Sequence, residues 1–156
     1  MSWEKLGENN MKTIRQGGFL TAKIHQLSGR LLSKLLRDHR LDINPAQGRI
    51  LFVLWQNDGI PIHELAERTR LSKSTLSLML DRLEAAGHVT RVRPEENRRT
   101  VLIKLTGEDR GLRRKYLEIS EEMNEIYYDG FTPDEIDDYE GYLMRILGNL
   151  TRVSLT

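Results

Sequence analysis

A mainly α chain with one small β-hairpin is what this sequence predicts, on three observations. Apolar residues recur at helical spacing through most of the 156 residues. One interval, residues 88–105, switches to short β-branched runs. Cap residues and prolines stand where the helical patterns begin. In chain order, Leu20, Ile24, Leu27, Leu31 and Leu35, widened by Leu32 and Leu36, predict a first long helix from Phe19 to Arg40. Asn44-Pro45 is an N-cap and first-turn proline for a second helix, Ala46 to Asn57, with Ile50, Leu51, Leu54 and Trp55 inward. Asp58 to Ile62 reads as a turn and a very short strand.

The centre of the chain is the most specific part. After Ile62, the residues Leu65, Ala66 and Thr69 give a first short helix one buried stripe and a charged outer face. Ser72 is a natural N-cap for a second, whose stripe is Leu76, Met79, Leu80 and Leu83 and whose stop is Gly87. His88 to Arg93 and Thr100 to Leu105 read as two strands around the turn Pro94-Glu95-Glu96-Asn97-Arg98-Arg99. Two short helices, a tight connection and a following hairpin make a winged helix-turn-helix. The polar face of its second helix carries Lys73, Ser74, Thr75, Ser77 and Arg82, mostly near its N-terminal end. That distribution suits entry into a major groove, with base edges read by side chains and phosphates held by hydroxyls. Arginines at the hairpin tip suit a narrow minor groove, where the negative potential is deepest. Lys73, Ser74, Thr75, Ser77, Arg82, Asn97, Arg98 and Arg99 are therefore the candidate DNA-binding residues. Arg70 stands in the turn between the two short helices, where many such motifs carry glycine, so that turn must differ or bear mild strain.

Leu71-Ser72-Lys73-Ser74-Thr75-Leu76-Ser77, then Leu83 to Arg91, then Asn97 to Thr106 resemble the MarR family of transcription regulators, and the helix order matches from about residue 17 to 153. The resemblance implies that Arg99 enters the minor groove. Relatives usually place an aspartate two positions earlier to orient that guanidinium; this chain has Asn97, which accepts a hydrogen bond without charge. It also implies an interlocked homodimer through the terminal helices, reading two half-sites about 34 Å apart. Residues 1–44 would then be an N-terminal dimerisation helix, 45–105 the DNA-binding domain and 106–156 the C-terminal dimerisation helices. Many relatives bind small aromatic or lipophilic compounds near the junction of these parts. Arg15, Phe19, Arg49, Trp55 and Tyr116 are the aromatic and cationic residues this chain offers there.

The C-terminal third carries its own seams. Thr106-Gly107-Glu108-Asp109 is expected to cap a long helix running to about Asp129, with Leu112, Tyr116, Ile119, Met123, Ile126 and Tyr127 recurring at helical spacing. Gly130 ends it, and Thr132-Pro133-Asp134-Glu135 starts the last helix with a cap, a first-turn proline and a capping-box acid. Ile136, Tyr139, Leu143, Ile146, Leu147, Leu150 and Val153 then form a stripe wider than one terminal helix can bury alone. That stripe needs a partner surface, which is the physical argument for a dimer.

Composition sets the outer bounds. Net charge is +1 overall, but divides as +4 over residues 1–62, +3 over 63–105 and −6 over 106–156. A basic reading head and an acidic far end suit a phosphate partner. There is no cysteine, which excludes disulfides, thiolate metal sites and a thiol redox sensor. No apolar run approaches the roughly 18 residues of a membrane span, and the N-terminus lacks a secretory hydrophobic region, so a cytoplasmic location is expected. His25, His39, His63 and His88 fall on separate elements without metal-site spacing, and Ser72, Ser74 and Ser77 have no His or Asp partner in their motif. No metal, cofactor or catalytic role is expected. The readings left open are a repressor bound to duplex DNA, a winged-helix protein-interaction module that touches no DNA, and an enzyme using the dimer cleft.

Overall fold

The computed structural model describes residues 14–108 and 111–153. The elements run α1 (Gly17–Asp38), α2 (Pro45–Gln56), β1 (Ile60–Pro61), α3 (Ile62–Thr69), α4 (Lys73–Ala85), β2 (Val89–Val92), β3 (Leu102–Leu105), α5 (Leu112–Tyr127) and α6 (Pro133–Arg152). The chain divides into two compact units, Met1–Ile119 and Ser120–Thr156. No helix among the described residues is long and apolar enough to cross a membrane.

In the first unit the core is built from the stripes that the sequence marks. Leu36, Ile50, Leu51, Leu54, Leu65, Leu80, Leu83, Ile103 and Ile119 are fully buried. Asn44 caps α2 through a complete capping box with Gln47, and Pro45 takes the first helical position. The sheet is antiparallel in the order β1-β3-β2, with Ile60 opposite Ile103 and Val89 opposite Leu105. Pro61 is tolerated because β1 is an edge strand. Asp58 Oδ1 accepts from both Gly59 N and Leu105 N at 2.8 Å, tying the turn before β1 to the end of β3.

Several boundaries differ from expectation. Helix α1 begins at Gly17 and ends at Asp38, two residues early at each end; the end follows from Arg40, which turns left-handed at φ 58°. The strands are shorter than the β-branched runs. Helix α5 starts at Leu112 instead of at a Thr106 cap, since Gly107 and Gly111 both take positive φ and break the helical path; the Thr106 hydroxyl accepts from Glu108 N at 3.3 Å in a local turn and donates to Gly87 O at 2.6 Å. Asp109 lies outside the described residues.

Gly48 lies tight against Tyr116 in the core. A Cβ there would lie 2.6 Å from Tyr116 Cε2, and Tyr116 is itself buried with its ring 5.5 Å edge-on from Trp55. Gly48→Ala would gain about 1 kcal/mol of helix propensity, against an overpacking cost of about 1 to 3 kcal/mol. Urea unfolding is expected to show a net loss of about 1 kcal/mol, relieved when Tyr116 is truncated in the same background.

In the second unit α6 begins with the full capping box of Thr132 and Glu135 and a first-turn Pro133. An aromatic cluster holds the turn into it: Tyr127 and Tyr139 share a hydroxyl hydrogen bond at 2.7 Å, and Tyr128 donates to Glu140 Oε1 at 2.9 Å. Phe131 packs edge-on to Tyr128. Burial of the ring, then the bond to Tyr139, pushes Tyr127 up to about 12, and burial followed by the Glu140 bond does the same for Tyr128. A phenol whose folded pKa is raised stabilises the hairpin fully below its ordinary value near 10, and that contribution is lost as pH rises through about 12. Absorbance titration is expected to show these tyrosinates forming late, with helical circular dichroism holding until that pH.

Helix α6 buries no residue, and Leu143, Ile146, Leu147, Leu150 and Val153 stand exposed along one face. Phe19, Leu20, Ile24 and Leu27 are likewise exposed on α1, whose buried residues are only Leu35 and Leu36.

Candidate nucleic-acid interface

Helix α4 is positioned by its buried stripe, Leu76, Met79, Leu80 and Leu83, which is the stripe the sequence predicts. Ser72 caps it, accepting from Thr75 N at 3.2 Å. The Ser72 hydroxyl also bonds Thr75 Oγ1 at 2.9 Å and lies 3.3 Å from Ser74 Oγ, so the three hydroxyls form one local chain. Lys73, Ser74, Ser77 and Arg82 are exposed and Thr75 is half-buried. Arg82, at the far end of α4, faces a groove it shares with Arg37 and Asp42 of the α1–α2 junction. The amino-terminal cations and hydroxyls therefore occupy one end of the helix and Arg82 the other.

Two features of this face were missed in the sequence. Leu78 is 48% exposed, one turn after Ser74, where an apolar side chain in a polar face can meet a thymine methyl. Its spacing from Ser74 is the signal that could have found it. The other is Arg91 on β2. Its guanidinium pairs with Asp81 Oδ1 and Glu84 Oε1, both at 2.9 Å, and its backbone N-H donates to Glu84 Oε2. One arginine thus neutralises both carboxylates of α4 that would repel phosphate and latches the wing to the helix.

The wing tip is built by its own side chains. Asn97 Oδ1 accepts from Arg99 N at 3.3 Å, and the Arg93 guanidinium donates to Arg98 O at 2.9 Å. Asn97 N-H in turn reaches Pro94 O, and Thr100 N-H reaches Asn97 O. The expectation for position 97 thus changes: Asn97 orients the backbone of Arg99, and the side chain of Arg99 is left exposed.

The expected effector residues are not brought together as a set. Arg49 Nη1 donates to Thr69 O at 3.2 Å and so terminates α3. Tyr116 is buried against Gly48, and burial raises its pKa despite the nearby Arg49 charge. Phe19 lies under Lys23 Nζ at 5.9 Å, and Arg15 is exposed just before α1. Only Trp55 lines the small cavity of about 140 Å³ between α2, the end of β3 and the start of α5, with Leu51, His88, Leu105 and Leu112. Among the described residues no group of three or more His, Cys, Asp or Glu is placed to hold a metal ion.

Comparison with known proteins places this geometry. The model of the MarR family matches residues 43–101. An HTH-type transcriptional regulator, TtmR, of Methylorubrum extorquens is 41% identical over 87 residues, covering 56% of this chain and 44% of that one. The chain spans about half the length of the curated relatives it matches. A MarR transcriptional regulator from Methanosarcina mazei shares the fold at a TM-score of 0.78 with 22% identity, over 88% of this chain and 97% of that one. A cysteine-to-serine mutant of MarR from Escherichia coli, complexed with operator DNA, aligns at a TM-score of 0.73 with 28% identity, over 83% and 92%.

Proposed function

We propose that the chain is a MarR-family transcription regulator and not an enzyme, a cytoplasmic repressor that binds a pseudo-palindromic operator as a homodimer. The observation that carries this reading is the exposed face of α4, held to an arginine-tipped wing by Arg91. Lys73, Ser74, Thr75 and Ser77 meet major-groove edges and phosphates, Arg82 a phosphate or base edge, and Arg99 the minor groove with Arg98 beside it. The operator-bound relative supports the choice of duplex DNA over a protein partner.

The terminal helices form the dimer in this reading, and a small aromatic or lipophilic effector releases DNA. Such an effector need only bind the DNA-incompetent spacing of the two reading heads more tightly, by a few kcal/mol. The cavity beside Trp55 is about 140 Å³, close to the size that holds one benzene ring. Titration with phenolic acids should then lower DNA affinity and raise thermal stability.

Selection of bound sequences from a random duplex pool tests the reading as a whole. An enriched palindrome is the expected outcome. A pool that stays unenriched, with gel shifts absent or insensitive to salt, would favour a protein-interaction module instead.

A further inference from the structure

We infer that Arg70, in the turn between α3 and α4, is a DNA-backbone contact whose guanidinium takes a phosphate oxygen beside the reading helix. This rests on the function proposed above and adds a residue to its interface. Arg70 adopts φ 57°, ψ 20°, the left-handed conformation, which is strained for an L side chain and open to glycine without strain. Among the described residues only Arg40 shares that state; the other positive φ values belong to glycines. The turn has kept its usual shape and accepted the strain.

Among the described residues nothing offsets that strain through the side chain. The carbonyls closing α3 are already served: Ala66 O by the backbone N-H of Arg70, Leu65 O by the Thr69 hydroxyl, and Thr69 O by Arg49. Arg68, two residues earlier, is paired with Glu64 at 2.8 Å. The guanidinium of Arg70 is exposed, and among the described residues it has neither an ion pair nor a hydrogen bond. It stands two residues before the Ser72 cap and three before Lys73, another exposed cation that has no ion pair among the described residues, and the first turn of α4 holds no acid. A free cation held in a strained turn beside Lys73 is matched by a phosphate running along the rim of the groove that α4 enters.

Arg70→Gly separates stability from binding, because the two should move in opposite directions. Thermal unfolding of the full chain should shift upward by about 2 to 4 °C. Affinity for a labelled duplex enriched from a random pool by the wild-type chain should fall about tenfold. The slope of log affinity against log salt should flatten by about 1 per protomer. Arg70→Gln keeps the strain and loses the charge, so it should lose affinity without gaining stability. Wild-type affinity and salt slope in either variant would overturn the assignment of Arg70. A wild-type chain that enriches no duplex would overturn the DNA-binding reading itself.

Discussion

Replacing Leu147 and Leu150 by glutamate is expected to split the protein into folded monomers and to lower operator affinity by about 100-fold or more. Both leucines are half-exposed or more, Leu150 at 64%, and α6 buries nothing within its own chain. Glutamate costs little helix propensity, and neither side chain is buried within the chain. The penalty falls on whatever covers the seam. If that is a second copy, two like-charged pairs meet in an apolar interface and desolvation drives the copies apart. A protein that reads two half-sites at once then loses the second, intramolecular binding step. Light scattering should give twice 18.2 kDa for the wild type and 18.2 kDa for the variant, with circular dichroism unchanged. A wild-type chain already at 18.2 kDa would remove the dimer from the proposal.

Much of this fold was legible because the signals are local. Ser72, Asn44-Pro45 and Thr132-Pro133-Asp134-Glu135 each satisfy backbone groups within three residues of themselves, so the residue types alone specify the helix starts. The buried stripe of α4 followed from spacing. What could not be read depends on contacts between elements. The start of α5 lies beyond Thr106 because Gly107 and Gly111 both turn left-handed, and the Thr106 hydroxyl joins the end of the wing to Gly87 O, 19 residues away. The partners of Arg49 and Tyr116, Thr69 O and the Gly48 surface, lie on other helices and so have no local signal. Arg91 passed for an ordinary strand residue for the same reason, since Asp81 and Glu84 meet it only once the wing folds back on α4.

Arg99→Ala is expected to weaken operator binding by about 1 to 3 kcal/mol per half-site. Its guanidinium is exposed and, among the described residues, has no partner, so the substitution removes nothing that holds the chain together. The tip remains shaped by Asn97 and Arg93. The loss should therefore be entirely in binding, with thermal stability unchanged. An arginine inserted in a narrow minor groove gains from the focused potential and from the fit of its planar fork. Arg99→Lys should accordingly recover only part of the loss, whereas a residue that merely touches phosphate would tolerate lysine. Arg98→Ala should cost less, since Arg98 lends its carbonyl to Arg93 whatever its side chain. Fluorescence anisotropy at fixed moderate salt checks all three.

The most direct test of the reading head is a nuclear magnetic resonance titration of isotope-labelled protein with its selected duplex, following backbone amides. Perturbations concentrated from Ser72 to Arg82 and from Glu95 to Thr100 are expected, at one duplex per two chains. Perturbations confined to α6, with the α4 and wing amides unmoved at saturation, would contradict it.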